Sequence, residues 1–549
     1  MYVDESISRQ KGKIYKRCLL RESYREKGKV KKRTIGNLSS CSAEEIDAIR
    51  LALRYKGRLN ELSVLGETVK MEQGLSVGSV WTVYVVSKRL GIEKALGTSR
   101  SGKLALWQVL ARVIDQGSRL SAVRLAKAQA ACDVLGLECG FSENALYKNL
   151  SWIEKNQERI ERDLFKVRRA SQKPTLFLYD VTSSYLEGEE NELAAYGYNR
   201  DKKQGKKQIV LGLLCDEEGE PVSVEVFRGN TQDISTFCSQ IKKVSHRFGC
   251  ETVTFVGDRG MIKSAQIEDL KEAQFHYITA ITKLQIEVLI REGTLQLELF
   301  DEEICEVKMD GVRYVLRRNP QRAEELTNIR RDKKASVEKL LEKKNRYLLE
   351  HPRAKVSVAL KEVKRSIEKL KVEKWLRAKT DERELNLMMD DEALAAISRL
   401  DGCYVLKTDL PGHWADKKIV HDRYKDLERI ERAFRTIKTG HLEIRPVFVR
   451  KANNTRAHAV VVMLAYMIER ELRRCWAGID LTVEEGLNDL KQLCTMKMVV
   501  NGKISTQVIP EAREKSRELL KAAGVLLPKV LPDRGCIVAT KTKLPTRRQ

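Results

Sequence analysis

Apolar and polar positions change period several times along the chain, and each change predicts a different element. Residues 13–20 and 29–35 alternate basic with apolar side chains about a Glu26-Lys-Gly28 turn, the pattern of a small β-hairpin. From Ser42, a residue suited to cap a helix, to Leu164 the apolar positions recur at helical spacing, most clearly through 104–114 and 120–131. The pattern then becomes that of buried strands. Residues 175–180 form a continuous apolar run ending on Asp180, and 208–215 and 221–227 follow, separated by Asp216-Glu-Glu-Gly219, as a three-strand meander. Turn residues at 229–233 precede a helix over 234–248, a strand over 252–257 ends on Asp258, and a helix (264–273) and a strand (275–281) complete a mixed α/β unit.

Residues 283–400 interrupt this unit, with strand-like pieces at 295–299 and 314–316 and then a charged helical stretch over 323–379, broken at His351-Pro352. A basic antiparallel helical hairpin is expected there. The unit resumes with a strand at 403–406, a helix through 421–438, a strand at 445–449 and an apolar helix over 458–474. In the helix of 421–438, Leu427, Glu431, Phe434 and Lys438 fall at i, i+4, i+7 and i+11 beside Ile430 and Ile437, while Glu428, Arg432 and Arg435 share the opposite face. Glu431 is therefore expected on the buried face, where an ionised carboxylate calls for a metal, a cation or several donors. Asp180 and Asp258, each expected at a strand end, supply two more carboxylates. Three such oxygen ligands suit two Mg²⁺ or Mn²⁺ ions better than zinc. Ions so held activate an attacking water or hydroxyl and stabilise the leaving oxygen of a phosphodiester.

Charge points to the same substrate class. The 549 residues carry 102 Lys+Arg against 77 Asp+Glu, a formal net charge of +25, which makes nucleic acid the leading partner. The longest apolar run, 457–468, falls short of the ~20 residues that span a bilayer, so no membrane association is expected. Twelve cysteines occur singly with no C-x-x-C pair, which excludes zinc ribbons and fingers. With no segment like a signal peptide, a cytoplasmic, nucleoid-associated location is the simpler account. Candidate DNA contacts are the basic hairpin, the loop Lys202, Lys203, Lys206 and Lys207, and the helix after Ser142, whose Lys148 and Asn149 are placed to enter a major groove. Solvation of a charged face and ordinary helix packing are the alternatives for each. A basic tail, 541–549, is expected to be disordered.

Tyr424, Glu431 and Lys438 stand at the spacing of the Tyr-(2)-Arg-(3)-Glu-(6)-Lys signature of insertion-sequence transposases of the DDE superfamily, with Leu427 at the Arg position. Gly197-Tyr-Asn-Arg-Asp201, Lys207-Gln208, Gly229-Asn-Thr-Gln-Asp233 and Asp258-Arg-Gly-Met261 resemble that family's loop and second-acid motifs, so the resemblance covers roughly residues 175–470. It implies an α/β, ribonuclease-H-like mixed sheet with helices on both faces and a long insertion before the final acid. It also implies binding of double-stranded DNA at terminal inverted repeats, cleavage there, joining to target DNA, and a dimer in the DNA complex. Asp180, Asp258 and Glu431 become the metal ligands, and Tyr424, Lys438 and Arg259 contacts to DNA phosphates. The expected organisation is 1–41 basic hairpin, 42–170 helical DNA-binding domain, 171–282 and 403–480 the two catalytic parts, 283–402 the insertion, and 481–549 a C-terminal helical region with the tail. A nuclease of the same fold without strand transfer, a DNA-binding protein without chemistry and an RNA-processing enzyme are the competing readings.

Overall fold

The computed structural model describes residues 1–10, 13–56, 69–169, 173–188, 190–201, 203–439, 442–445, 449–500, 503–534, 536 and 538. Lys202, residues 446–448 of the expected strand at 445–449, and the basic tail lie outside them. The expected hairpin is part of a larger unit, a three-stranded antiparallel sheet of β1 (Tyr2–Gln10), β2 (Lys13–Glu26) and β3 (Lys29–Asn37). Lys27 and Gly28 turn β2 into β3 with φ of 48° and 75°, the left-handed pair that matches strand twist in a two-residue turn. Helix Ala43–Arg54 follows, closed by a reciprocal Ser42/Glu45 capping box.

The centre of the molecule is an eight-stranded sheet. Its members are β5 (Leu176–Tyr185), β6 (Gln208–Asp216), β7 (Pro221–Arg228), β8 (Thr254–Gly257), β9 (His276–Ala280), β10 (Cys305–Met309), β11 (Val312–Arg318) and β14 (Cys403–Thr408), in the order β10-β11-β14-β9-β8-β5-β6-β7. Strands β5, β8 and β9 run parallel and all other neighbours antiparallel. An antiparallel meander joined to two parallel strands by crossover helices is the ribonuclease-H-like arrangement. Strand alternation gives the sheet two apolar faces. Leu176, Leu178, Leu211 and Leu213 face one core, whereas Phe177, Tyr179, Val181, Val210 and Leu214 face another with Phe237 and Leu270 from the helices Asp233–Lys242 and Ser264–Glu272.

The insertion does more than interrupt. Its β10 and β11 extend the central sheet, with β11 beside β14, while the piece read as a strand at 295–299 is a 3₁₀ turn, Leu297–Phe300. The charged stretch forms helices Pro320–Glu350 and Val356–Leu370. It then leaves helix for a hairpin, β12 (Leu376–Asp381) and β13 (Glu384–Met389), where helix to 379 was expected. Val337, Val363, Trp375 and Leu385 give it a small core of its own.

Two further corrections concern the flanking regions. β4 (Val69–Ser76) lies within the stretch read as wholly helical, and it pairs with β15 (Cys494–Val500), which pairs with β16 (Lys503–Val508), in the region read as helical at the C-terminus. The apolar helix Ala452–Cys475 also runs between the helices Arg100–Ile114 and Glu143–Lys155 and the sheet. One continuous core therefore joins Trp107 and Leu150 through Val460 and Leu464 to Leu178 and Leu211.

Candidate active site

Strand parity places the first acid. Asp180 shares its face with Leu176 and Leu178, and it sits in the middle of β5 because the strand continues to Tyr185 beyond the apolar run. Tyr179 pairs with Gly257 on the parallel β8, so Asp258, the first residue after that strand, lies beside Asp180. Tyr179 itself leaves the other face, where its ring covers Gly212; a Cβ there would stand 2.4 Å from the Tyr179 hydroxyl. Glycine at 212 is what lets β6 close on β5 at this point.

The third acid comes from a helix, with a correction to its setting. Residues 421–438 are not one helix. Lys417–Lys425 and Leu427–Thr439 meet at Asp426, which pairs with Arg423 at 3.4 Å and Arg429 at 3.1 Å. The buried stripe of the second helix is Ile430, Ala433, Phe434 and Ile437. Counting Ala433 moves its centre away from Glu431, which lies one residue, about 100°, off the stripe. Glu431 is therefore exposed rather than buried, on a flank shared with Leu427 and Lys438. That flank faces the cleft, which explains a carboxylate there without burial.

Asp180, Asp258 and Glu431 line one cleft of about 580 Å³, together with Arg259, Tyr424 and Leu427. Leu427, at the signature Arg position, half-buries its side chain against the main core. Burial, and then the like charges of Asp258 and Glu431, push the Asp180 carboxyl up to about 7, although its Oδ1 accepts the Val181 N–H at 2.7 Å. Asp258 Oδ1 accepts the Arg259 N–H at 2.8 Å and the Tyr424 hydroxyl at 3.2 Å. Tyr424 thus contacts an acid, and its phenol is held neutral by burial and by that carboxylate. An all-oxygen donor set under mutual repulsion fits a hard divalent cation. Among the described residues, however, no group of three or more His, Cys, Asp or Glu stands close enough to hold a metal ion.

Lys438 is engaged within the protein. Its Nζ pairs with Asp201 and donates to Thr182 Oγ1 at 3.2 Å, two residues along β5 from Asp180. Asp201 closes the Gly197–Asp201 loop, in which Asn199 Oδ1 accepts the Asp201 N–H at 2.9 Å and Arg200 pairs with Asp233 at 2.6 Å. The loop motif quoted from sequence therefore acts as a clamp on the signature lysine, and the opposite charges of Asp201 and Lys438 were the available signal. No sequence signal marks His421, which lies on the same helix as Tyr424 and is buried, with its Nε2 at 2.8 Å from Arg317 and 2.5 Å from the Tyr404 hydroxyl.

Residues 171–468, more than half of the chain, match the family model described as the transposase DDE domain. The chain belongs to the DDE transposase family. Residues 3–64 of this transposase match a second model, the N-terminal domain of IS1634 family transposases, which makes it an insertion-sequence enzyme. A comparison with curated proteins found no match. Among solved structures, the transposase is similar to a piggyBac transposase synaptic complex with hairpin DNA, determined by cryo-EM. That match has 7% sequence identity and a TM-score of 0.36, and covers 81% of this chain and 75% of that one.

The remaining candidates fall in two groups. Arg259, Lys148, Lys203 and Lys206 are exposed; Lys206 pairs with Glu187 at 3.5 Å, while Lys203 and Lys207 lie over the rings of Tyr185 and Tyr196. Asn149 is not at the surface. At 5% exposure it accepts from Gln108 Nε2 at 2.8 Å and donates to the Ser101 carbonyl at 2.9 Å, so both ends of its amide are used in helix packing. No described helix is long and apolar enough to cross a membrane.

Proposed function

We propose that this transposase binds the terminal inverted repeats of its element, cleaves the DNA at the ends and joins the ends to target DNA by two-metal chemistry. The observation that carries the reading is the convergence of Asp180, Asp258 and Glu431 on one cleft from two adjacent parallel strands and the helix that covers them. These three residues would hold the ions. Glu431, exposed at the rim on three rotatable bonds, has the freedom to close on them. Mg²⁺ or Mn²⁺ bound there would supply an activated water or hydroxyl and neutralise the leaving oxygen. Tyr424 orients Asp258 through its hydroxyl, and Asp201 with Thr182 positions the Lys438 charge beside the Asp180 face of β5. Arg259, which lines the cleft, and the exposed Lys203 and Lys206 are the DNA phosphate contacts of this reading. Uniting two element ends calls for two copies of the chain.

The test is a strand-transfer assay with labelled element ends, target DNA and Mg²⁺. Joined products are expected from the wild type. Asp180→Asn should keep end binding and lose cleavage by at least about 100-fold, since even groups that only orient a metal ligand are worth about 10–100-fold. Cleavage without joining would reduce the protein to a nuclease, and an unchanged rate in Asp180→Asn would remove the three-acid mechanism.

A further inference from the structure

A second cavity lies where the helices Arg100–Ile114 and Arg119–Ala128 meet Glu443, Arg445 and the helix Ala452–Cys475. It measures about 140 Å³, and Arg112, Arg119, Tyr147, Arg445 and His458 reach it together with one carboxylate, Glu443. Two of its arginines are deep in the protein, Arg112 at 6% and Arg119 at 5% exposure. Every hydrogen-bond acceptor recorded for them is neutral. Arg112 donates to the carbonyls of Gln116 at 2.6 Å and Leu442 at 3.5 Å; Arg119 donates to Gln108 Oε1 at 2.9 Å and to His458 Nδ1 at 3.2 Å. Arginine has no acceptor, so His458 Nδ1 must accept, and burial beside Arg119 and Arg112 disfavours the protonated ring. The imidazole is neutral and offsets no charge.

Nearby acids compensate only in part. Glu443 is taken by Arg445 at 2.6 Å, and Asp115 accepts from the Ser121 hydroxyl at 2.7 Å. Arg112 Nη2 and Arg119 Nη1 have no hydrogen-bond partner among the described residues. Ser118 caps the helix Arg119–Ala128, whose first turn adds the positive end of its dipole to the same space. A buried guanidinium without a counter-charge is costly to hold; Arg112 and Arg119 are two of them, and the cavity they share with the Glu443-paired Arg445 is where an anion would relieve that cost.

We propose that this cavity binds one tetrahedral oxyanion, a phosphate group, gripped by Arg112, Arg119 and Arg445 with Tyr147 in reach. Arginine forks match phosphate oxygens in pairs. The space equals about four to five liquid waters at roughly 30 Å³ each, enough for one such group. Arg445 couples it to the chemistry, since it also donates to the Tyr185 hydroxyl and, at 3.4 Å, to the carbonyl of Lys438. The phosphate comes either from DNA, as a terminal 5′-phosphate, or from free inorganic phosphate.

Titration calorimetry of the full chain with inorganic phosphate, at fixed ionic strength and without DNA or divalent metal, tests this independently of cleavage. One saturable site per chain is expected in the wild type, with affinity falling at least tenfold in Arg119→Gln and in Arg445→Gln. The second variant is a partly exposed position chosen in case the first does not fold. Absence of a saturable site in the wild type, or equal affinity in Arg445→Gln, would overturn the proposal. Adding a 5′-phosphorylated duplex and its 5′-hydroxyl counterpart identifies the source: competition by the phosphorylated duplex alone assigns the site to a DNA end, and competition by neither assigns it to free phosphate.

Discussion

Asp180 is the residue on which strand packing and chemistry disagree. The fold holds it on a covered strand between Tyr179 and Val181, yet two further carboxylates share its cleft, and its carboxyl is pushed up to about 7. An ordinary aspartate in the unfolded chain titrates near 3.9. Between those values the folded protein holds a proton that the unfolded chain releases, so stability declines as pH rises through the window and the full cost is present above it. In chelator, Asp180→Asn should therefore melt higher than the wild type at pH 8, with the difference shrinking toward pH 5; a difference independent of pH would mean that the charge is not the cause. Added Mg²⁺ should raise the melting temperature of the wild type and leave that of Asp180→Asn nearly unmoved. Tyr424 is the complementary case. Its hydroxyl orients Asp258 without contacting a second described acid, so Tyr424→Phe should keep the fold and lose about 10–100-fold in cleavage rate. A rate within twofold of the wild type would assign Tyr424 to packing alone.

The helix Leu427–Thr439 delivers Glu431 and Lys438 together because its stripe of Ile430, Ala433, Phe434 and Ile437 locks it onto the sheet. Phe434→Ala should cost about 3–5 kcal/mol, a large share of the roughly 5–15 kcal/mol that holds a domain folded. Chemical denaturation measures that loss directly. Phe434→Leu should cost less and retain cleavage, whereas equal losses in the two variants would mean that the ring does not set the docking of this helix. The same element shows where sequence is legible and where it stops. Helical phase found the apolar stripe but misjudged its centre by omitting Ala433, so Glu431 was read as buried when it stands on the flank. The apolar runs of β5, β6, β7, β8 and β9 were readable because strands covered on both faces must be apolar along their length, and Asp258 followed directly from the end of one such run. The pairing of β4 with β15 was not readable, because the partners are separated by about four hundred residues and neither strand encodes the other. Asn149 failed for a related reason. A polar residue on a helix looks the same whether it meets a base or Gln108.

The net charge of +25 is distributed over cations that acids already meet and cations that they do not. On the N-terminal sheet, Arg21 pairs with Asp4 at 2.7 Å, Lys31 with Glu26 at 2.7 Å and Arg33 with Glu22 at 2.6 Å, so several cations of the expected basic face meet acids on the same sheet. Exposed ion pairs of this kind contribute about 0–1 kcal/mol to stability, but each lowers the field a polyanion would feel. Lys27 and Lys29, at the β2–β3 turn, have no ion pair among the described residues. If that turn lies on DNA, these two lysines release counterions and their paired neighbours contribute less. The dependence of log affinity on log salt has a slope of about −0.9 per neutralised phosphate. A Lys27→Ala, Lys29→Ala double variant should flatten the slope by up to about 1.8 and weaken end binding most at low salt, while Lys31→Ala changes it less. Equal slopes in all three proteins would take the N-terminal sheet off the DNA and leave the contact to the lysines and arginines around the catalytic cleft.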